Sequence, residues 1–410
     1  MPRTFFDRPA RHDRESPPAG NRPPLLILGA STRAAAHSAV RAGLAPVCGD
    51  LFADLDLREC ARVLEVADYP RDLVAAAAAA PRIPWIYTGG LENHPALVQR
   101  ISRLCPLWGN EDHVLAKIRD PWRVASVLAA AGLPALRVWP RTEKRPAADG
   151  AWMRKPLRGA AGRGIGVWDH RDSPDQAVRG PYYFQERQAG APISALFLAT
   201  PERTLLLGVT RQLVGLAAVH APAFAWCGTI APADVSRETR ASIARIGKHL
   251  APWAGLRGLF GCDFLLDEKG PWLTEVNPRY PASTEIMEHQ LGVPLLDWHR
   301  RACESFVAPV SGSLASELCE KETVVGKIVL YAKSELTAPD LSHFVFRPTS
   351  WMEDAVAPTD SLPYVADIPV PGTRILAGQP ICTLFARVRD EEACLAKLLR
   401  RAARLEARLR

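Results

Sequence analysis

Short apolar runs closed by glycine, alternating with stretches of helical spacing, set the plan of the first quarter of the chain. Leu25-Leu26-Ile27-Leu28 ends at Gly29, residues 32–42 have helical spacing, and residues 45–50 form the next apolar run. Strand, helix and strand in this order imply a parallel sheet. The alternation continues with a strand at 62–66, an alanine-rich helix at 72–80, a strand at 85–88 before Gly89-Gly90, and a helix at 94–104. Two short helices fit 110–132, and Val138 starts the next strand. Residues 152–156 form a strand leading into a glycine-rich loop. Further strands fit 182–188, 193–199, 203–209 and 212–219, followed by a helix at 237–250. Beyond a helix continuing from Leu296 to Phe306, the pattern changes to a linker, a strand at 324–331, and short apolar runs between Pro369, Pro371, Gly372, Gly378 and Pro380. That spacing of turn residues predicts a small β-rich module, closed by a helix at 390–408.

The run at 256–266 is mostly apolar and punctuated by glycine, as a buried strand would be, yet it carries Asp263. A turn at Asp267-Glu268-Lys269-Gly270 leads into Leu273-Thr274-Glu275-Val276-Asn277-Pro278-Arg279. Residues two apart on a strand share a face, so Glu275 and Asn277 point the same way and Asp263 can lie across from them. An acidic hairpin is most often a solvated face. Carboxylates on a buried strand, however, need a cation. Two carboxylates and an amide oxygen are hard ligands of the kind Mg²⁺ takes when it also holds phosphates. Arg279 adds a fixed fork for a phosphate oxygen.

A second chemical signal is Lys155-Pro-Leu-Arg-Gly159-Ala-Ala-Gly162-Arg-Gly164-Ile-Gly166. Glycines let backbone N–H groups approach phosphate oxygens, and Lys155 can add an ammonium to the same phosphates. The lysine precedes the glycines, so the loop is not a Walker A motif. The opening turn Gly29-Ala30-Ser31-Thr32-Arg33-Ala34 has one glycine where a dinucleotide fingerprint has three, which argues against NAD, although Asp50 lies at a suitable distance for a ribose carboxylate.

Composition adds limits. The 410 residues suffice for two or three domains. No apolar run reaches membrane-spanning length, which sets the expectation of no membrane partner. The first 22 residues are rich in Arg, Pro and Asp, read as a disordered tail, and lack the apolar centre of a signal peptide. A cytoplasmic protein is expected. The nine cysteines (Cys48, Cys60, Cys105, Cys227, Cys262, Cys303, Cys319, Cys382 and Cys394) show no C-x-x-C spacing, against structural zinc or a disulfide framework. The net charge of +7 is concentrated in the arginines of the two ends, without a basic stripe interleaved with aromatics, so nucleic acid is not expected as a partner.

The loop K-P-x-x-G-x-x-G-x-G-I, a Q-E segment at Gln185-Glu186, and D-F…E-V-N-P-R resemble the ATP-grasp superfamily over about residues 25–300. Within it the chain is most similar to uncharacterised proteins described as carboligases related to biotin carboxylase. That similarity rests on Ile27-Leu-Gly-Ala-Ser-Thr-Arg33, Pro192–Ala199 and Pro371–Cys382. Relatives of that group occur beside tetrahydromethanopterin and methanofuran one-carbon genes. The resemblance implies an α/β fold with α+β elements. It has a disordered tail (1–22), an N-terminal Rossmann-like domain (23–112) and an ATP-grasp domain (113–300) with a lid subdomain at about 117–184. A linker, the small β-rich C-terminal module and the terminal helix occupy 301–410.

By the same resemblance Lys117 and Lys155 contact ATP phosphates, and the loop with Gly159, Gly162 and Gly164 closes over them. Gln185, Glu186, Arg187 and Gln188 form the adenine hinge. Asp263, Glu275 and Asn277 hold Mg²⁺, with Mn²⁺ as a substitute. Arg279, the catalytic residue together with Lys155, touches the γ-phosphate or an acyl phosphate. The acidic residue that commonly binds ribose after the hinge is here Pro192, leaving Glu186 or Ser194 to replace it. The implied activity is an ATP-dependent carboxylate–amine ligase that forms an amide through an acyl phosphate, in biosynthesis of a one-carbon coenzyme. Its partners are small-molecule carboxylates and amines, and homodimers are common in the superfamily. The alternatives are carboxylation through carboxyphosphate and a non-catalytic nucleotide-binding regulator. Cys262 is expected to face away from Asp263, and His220, His289 and His299 are weaker candidates as bases.

Overall fold

The computed structural model describes residues 22–170, 180–304, 323–345 and 362–409. The expected tail up to residue 21, Phe306, Cys319, most of the linker, part of the expected lid (171–179) and Arg410 lie outside them.

The opening alternation becomes a four-stranded parallel sheet with Arg62–Glu65, Ala45–Asp50, Pro24–Gly29 and Trp85–Tyr87 side by side in that order. Pro24–Gly29 is central and covered on both faces. Leu25 and Ile27 pack toward Ile286 and Leu295, whereas Leu26 and Leu28 pack toward Leu73 and Val98. Burial on both sides is why this run is continuously apolar rather than alternating. The carboxyl ends of the strands all open onto one cleft, as in other open parallel sheets.

The central sheet has eight strands, each antiparallel to its neighbours. Their order is Gly270–Asn277, Gly258–Asp267, Ala191–Ala199, Thr204–Val214, Trp226–Ala231, Val324–Tyr331, Pro380–Val388 and Val365–Ala366. The C-terminal strands are therefore an extension of this sheet rather than a layer of their own, with Val324–Tyr331 paired to Trp226–Ala231. The last helix, Glu391–Leu409, covers them with Cys394, Leu398, Ala402 and Leu405, a stripe at helical spacing. Helix Arg237–Ala254 packs Ile243, Ile246 and Leu250 against Phe197 and Phe260. Ser236 Oγ caps its first turn by accepting from Thr239 N (3.1 Å). It runs past the expected end at residue 250, through Pro252, because Ala251 and Ala254 still pack into the core.

A three-stranded sheet of Gly166–Asp169, Asp149–Pro156 and Tyr182–Glu186 stands over the cleft, held by Trp152, Trp168 and Phe184. Val138, expected to open a strand, makes only an isolated bridge to Gln185. Pro134 and Pro140 confine the run on either side and leave no room for a longer ladder. Among the described residues, no helix is long and apolar enough to cross a membrane.

Candidate active site

Gly258–Asp267 and Gly270–Asn277 form the hairpin expected from the sequence, with Asp263 in register with Glu275 on one side and Ser194 on the other. Asp267 fixes the turn: its Oδ1 accepts from Lys269 N (2.9 Å), Gly270 N (3.1 Å) and Trp272 Nε1 (3.0 Å). Strand alternation sends Phe260, Cys262 and Phe264 into the core and leaves Asp263 facing the cleft. Burial raises the Cys262 thiol far above its ordinary range, so it is a core side chain.

The metal-type residues converge. Asp263 accepts hydrogen bonds from Gln212 Nε2 (2.9 Å) and Asn277 Nδ2 (2.9 Å). Asn277 Oδ1 accepts in turn from Arg279 Nη2 (3.1 Å). Burial, and then the charge of Glu275, push the Asp263 carboxyl up to about 6 against these hydrogen bonds. Among the described residues Asp263 has no ion-pair partner. Burial also works against the Glu275 carboxylate, but Arg119, Lys155 and Arg279 outweigh it and hold Glu275 below its ordinary range. Two adjacent carboxylates, one of them without a cation, plus an amide oxygen make a donor set that fits a hard divalent ion.

Arg279 is clamped. Its Nε donates to Glu92 Oε1 (3.1 Å), while Glu92 Oε2 accepts from Gly90 N (2.7 Å). The N-terminal sheet thereby orients the arginine of the central sheet. Lys155 Nζ donates to Gln185 Oε1 (3.0 Å) and Thr274 O (3.1 Å), at the junction of the three-stranded sheet and the cleft. The loop after it folds down onto the turn at 222–225. Gly162 has φ +77°, and a Cβ there would lie 1.9 Å from Phe224 O, so only glycine allows this approach. Gly162 and Gly164 line the main cleft, and Gly159 lines an adjoining slot where Val124, Leu128, Leu136, Tyr183 and Leu273 meet Arg119, Lys155, Gln185 and Glu275.

Several of the expected site residues are turned to other partners in this structure. Lys117 lies outside the cleft: its Nζ donates to Trp253 O and sits 4.8 Å from the Trp253 ring centroid. The next cation, Arg119, just past the helix end, lines the adjoining slot instead. Arg119 Nη1 pairs with Glu275, and its Nη2 donates to Asn93 Oδ1 (3.0 Å). Asn93 Nδ2 donates to Gly159 O (2.9 Å), linking this arginine to the glycine loop. Of the expected adenine hinge only Gln185 faces inward. Glu186, on the opposite face of the strand, binds Arg137 Nη2 (2.9 Å) and Arg137 N (3.1 Å). Arg187 reaches Gly150 O (3.3 Å) and Gln188 reaches Asp267 Oδ2 (2.7 Å). Of the two ribose alternatives, Ser194 lines the cleft.

Arg119, Gln212 and Asn93 were not singled out from the sequence. Arg119 had a signal, being a second cation beside Lys117. The others become meaningful only once strands and loops distant in sequence are brought together. Asp50 is a loop former: Thr32 N and Oγ1 donate to its Oδ2 (2.6 and 2.8 Å), and Phe52 N and Ala53 N donate to its Oδ1 (2.8 and 2.7 Å). His299 is structural, since its Nδ1 accepts from Leu259 N (2.8 Å) and its Nε2 faces Trp108 O (3.0 Å). His220 pairs with Glu406 (3.2 Å), and His289 packs edge-on against Phe385.

The same cleft, of about 2220 Å³, is bounded by the N-terminal sheet, the glycine loop, the metal-type hairpin and the C-terminal strands. The family model for the ATP-grasp domain matches residues 118–283. Among curated proteins nothing matches the sequence. Solved structures are similar in fold. An L-amino acid ligase from Bacillus licheniformis aligns with TM-score 0.66 and 16% identity, over 93% of this chain and 97% of its own. Biotin carboxylase from Campylobacter jejuni aligns with TM-score 0.63 and 16% identity, over 91% and 89%. N5-carboxyaminoimidazole ribonucleotide synthetase from Thermotoga maritima aligns with TM-score 0.61 and 12% identity, over 94% and 98%. The chain carries an ATP-grasp domain over residues 118–283, set within the ATP-grasp fold.

Proposed function

We propose that this protein is an ATP-dependent carboxylate–amine ligase that forms an amide, ADP and phosphate. The observation that carries the reading is the meeting of Lys155, Arg279, Asp263, Glu275, Asn277 and the Gly162 loop in one cleft. That cleft is more than twice the upper end of ordinary ligand pockets, roughly 1,000 Å³. It has room for a nucleotide beside organic substrates. The adjoining slot offers the Tyr183 ring and Leu273 to the flat face of adenine and Gln185 to its edge.

Asp263, Glu275 and Asn277 would hold Mg²⁺, which when bound neutralises charge on the phosphates. Lys155, positioned by Gln185 and Thr274 O, places a cation on the same phosphates. Arg279, held in orientation by Glu92 and Asn277, offers its guanidinium to a substrate carboxylate and to the transferring phosphoryl group. A carboxylate oxygen bonds to the γ-phosphorus as the bond to ADP breaks. An amine nitrogen then bonds to the carbonyl carbon as phosphate leaves and the nitrogen loses a proton. The seated glycine loop keeps water from the acyl phosphate between these steps.

The test is phosphate release by the full chain with MgATP and a panel of amino acids, alone and in pairs, beside Asp263→Asn. Release requiring both an acid and an amine, and lost in Asp263→Asn, is the expected result. Release that follows bicarbonate would instead identify a carboxylase, and tight ATP binding with no release under any condition would identify a regulator.

A further inference from the structure

Away from the metal-type hairpin, the cleft continues between the N-terminal sheet and the C-terminal strands, where the charge is unbalanced. Arg33, 1% exposed, pairs with Glu285 and donates Nε to Asp367 Oδ1 (2.9 Å). Lys327 Nζ donates to Glu285 Oε2 (2.8 Å). Asp56 accepts from Asp367 N and Ile368 N (2.9 Å each), and so fixes the bend that carries Asp367. These two cations are already committed to Glu285, Asp56 and Asp367. Asp54 remains.

Asp54 follows the loop built by Asp50, is only 7% exposed, and lines the cleft. It stands before the short helix Leu55–Arg58 without capping it. Among the described residues its carboxylate accepts no hydrogen bond and has no ion-pair partner. Burial, and then the charges of Asp367, Asp56 and Asp50, drive this carboxyl well above its ordinary range. Without a partner the acid is held toward its protonated form, and its oxygens are reachable from the cleft. A cation entering from the cleft would favour the ionised carboxylate and pair with it. A metal ion is a poor fit. Among the described residues the one group of three or more potential His, Cys, Asp or Glu ligands that converges within 4.8 Å is Glu111, Asp112 and His113, and none of these lines the cleft. One open carboxylate, flanked by the partly exposed Asp367, suits an organic ammonium that makes one or two charge-assisted hydrogen bonds.

We propose that Asp54 is the recognition group for a primary ammonium on one of the organic substrates, so that the protein selects a substrate carrying a positively charged nitrogen. The proposal rests on the ligase reading only for taking this cleft as the substrate site.

The experiment uses the full chain with MgADP and two probes of equal length, 1,5-diaminopentane and 1,5-pentanediol, followed by titration calorimetry. The diamine should bind the wild type and the diol should not. Asp54→Asn, which keeps the shape and removes the charge, should weaken diamine binding by roughly 10- to 100-fold, the loss of one charged hydrogen bond. It should leave MgADP affinity unchanged and should not lower the melting temperature. Asp54→Ala, as a second variant, should weaken the diamine equally. Diamine binding that is absent in the wild type, equal to that of the diol, or unchanged in both variants overturns the proposal. The ligase reading fails separately, through absent MgADP binding and absent phosphate release, while Asp54-dependent diamine binding would still uphold the charge recognition argued here.

Discussion

Replacing Gly162 by alanine tests whether the glycine loop works by seating against the turn at 222–225. The residue has φ +77°, a backbone region that costs an L-residue roughly 1–2 kcal/mol. The added methyl would also meet Phe224 O at 1.9 Å, Phe224 C at 2.6 Å and Ala225 Cα at 3.0 Å. All three are backbone atoms, so no side-chain rotation relieves the contact, and overpacking of this kind costs about 1–3 kcal/mol. The seated loop should therefore lose at least about 2 kcal/mol, which lowers its population roughly 30-fold relative to the lifted loop. If MgATP binds with the loop seated, its dissociation constant rises by as much as this factor, most where the free loop is largely lifted. Gly166→Ala is the control, because a Cβ there meets nothing within 4 Å and the backbone needs no left-handed conformation. Calorimetric titration of MgATP into both variants measures the difference. Gly162→Ala binding within twofold of Gly166→Ala would refute the reasoning.

Arg119→Ala should abolish turnover by releasing both Glu275 and Asn93, and Arg119→Lys should recover only part of it, because a lysine cannot span both partners as the guanidinium fork does; steady-state phosphate release decides. Gly247→Ala lies inside helix Arg237–Ala254, where alanine ordinarily stabilises, but here its Cβ would sit 2.3 Å from the Phe197 ring that stacks on Phe260 at 4.9 Å. A loss of about 1–3 kcal/mol is expected in urea unfolding. Burial lowers His299 to about 4 from an ordinary 6.5. The unfolded chain therefore takes up a proton first as pH falls, and this residue's contribution, about 3 kcal/mol, is intact above pH 6.5 and lost between pH 6.5 and 4. His299→Gln should flatten that part of the stability–pH profile, whatever its effect at pH 7, and melting curves across the range show whether it does.

Much of this architecture could be read from the chain because local pattern and tertiary role agree. Leu25–Leu28 is apolar without alternation, as a strand covered on both faces must be, and Asp267–Gly270 has the residues its turn uses. Asp263, Glu275, Asn277 and Arg279 were legible as a group, since strand periodicity alone puts the hairpin residues on one face. Side-chain direction was harder. Lys117 and Arg119 differ by two positions on a helix end, and only the packing of Trp253 decides which of them turns toward the adjoining slot. Gln185 and Glu186 differ by one position on a strand, and Arg137 claims the outward one. Glu92, Asn93 and Gln212 carry no local signature at all. Their roles come from loops and strands that meet in space, as Asp54 and Asp367 do across more than three hundred residues.

The continuity of the central sheet limits how this protein can be divided. Trp226–Ala231 is an inner strand only because Val324–Tyr331 lies beside it. A fragment that stops at residue 304 would keep every residue of the candidate nucleotide site, yet it would leave an open, largely apolar strand edge of the kind that recruits other chains. The candidate nucleotide site and the C-terminal strands thus share one continuous sheet. Domain shuffling or crystallisation trimming after residue 304 would expose this edge to aggregation, and the seam at which this chain can be cut must be sought elsewhere.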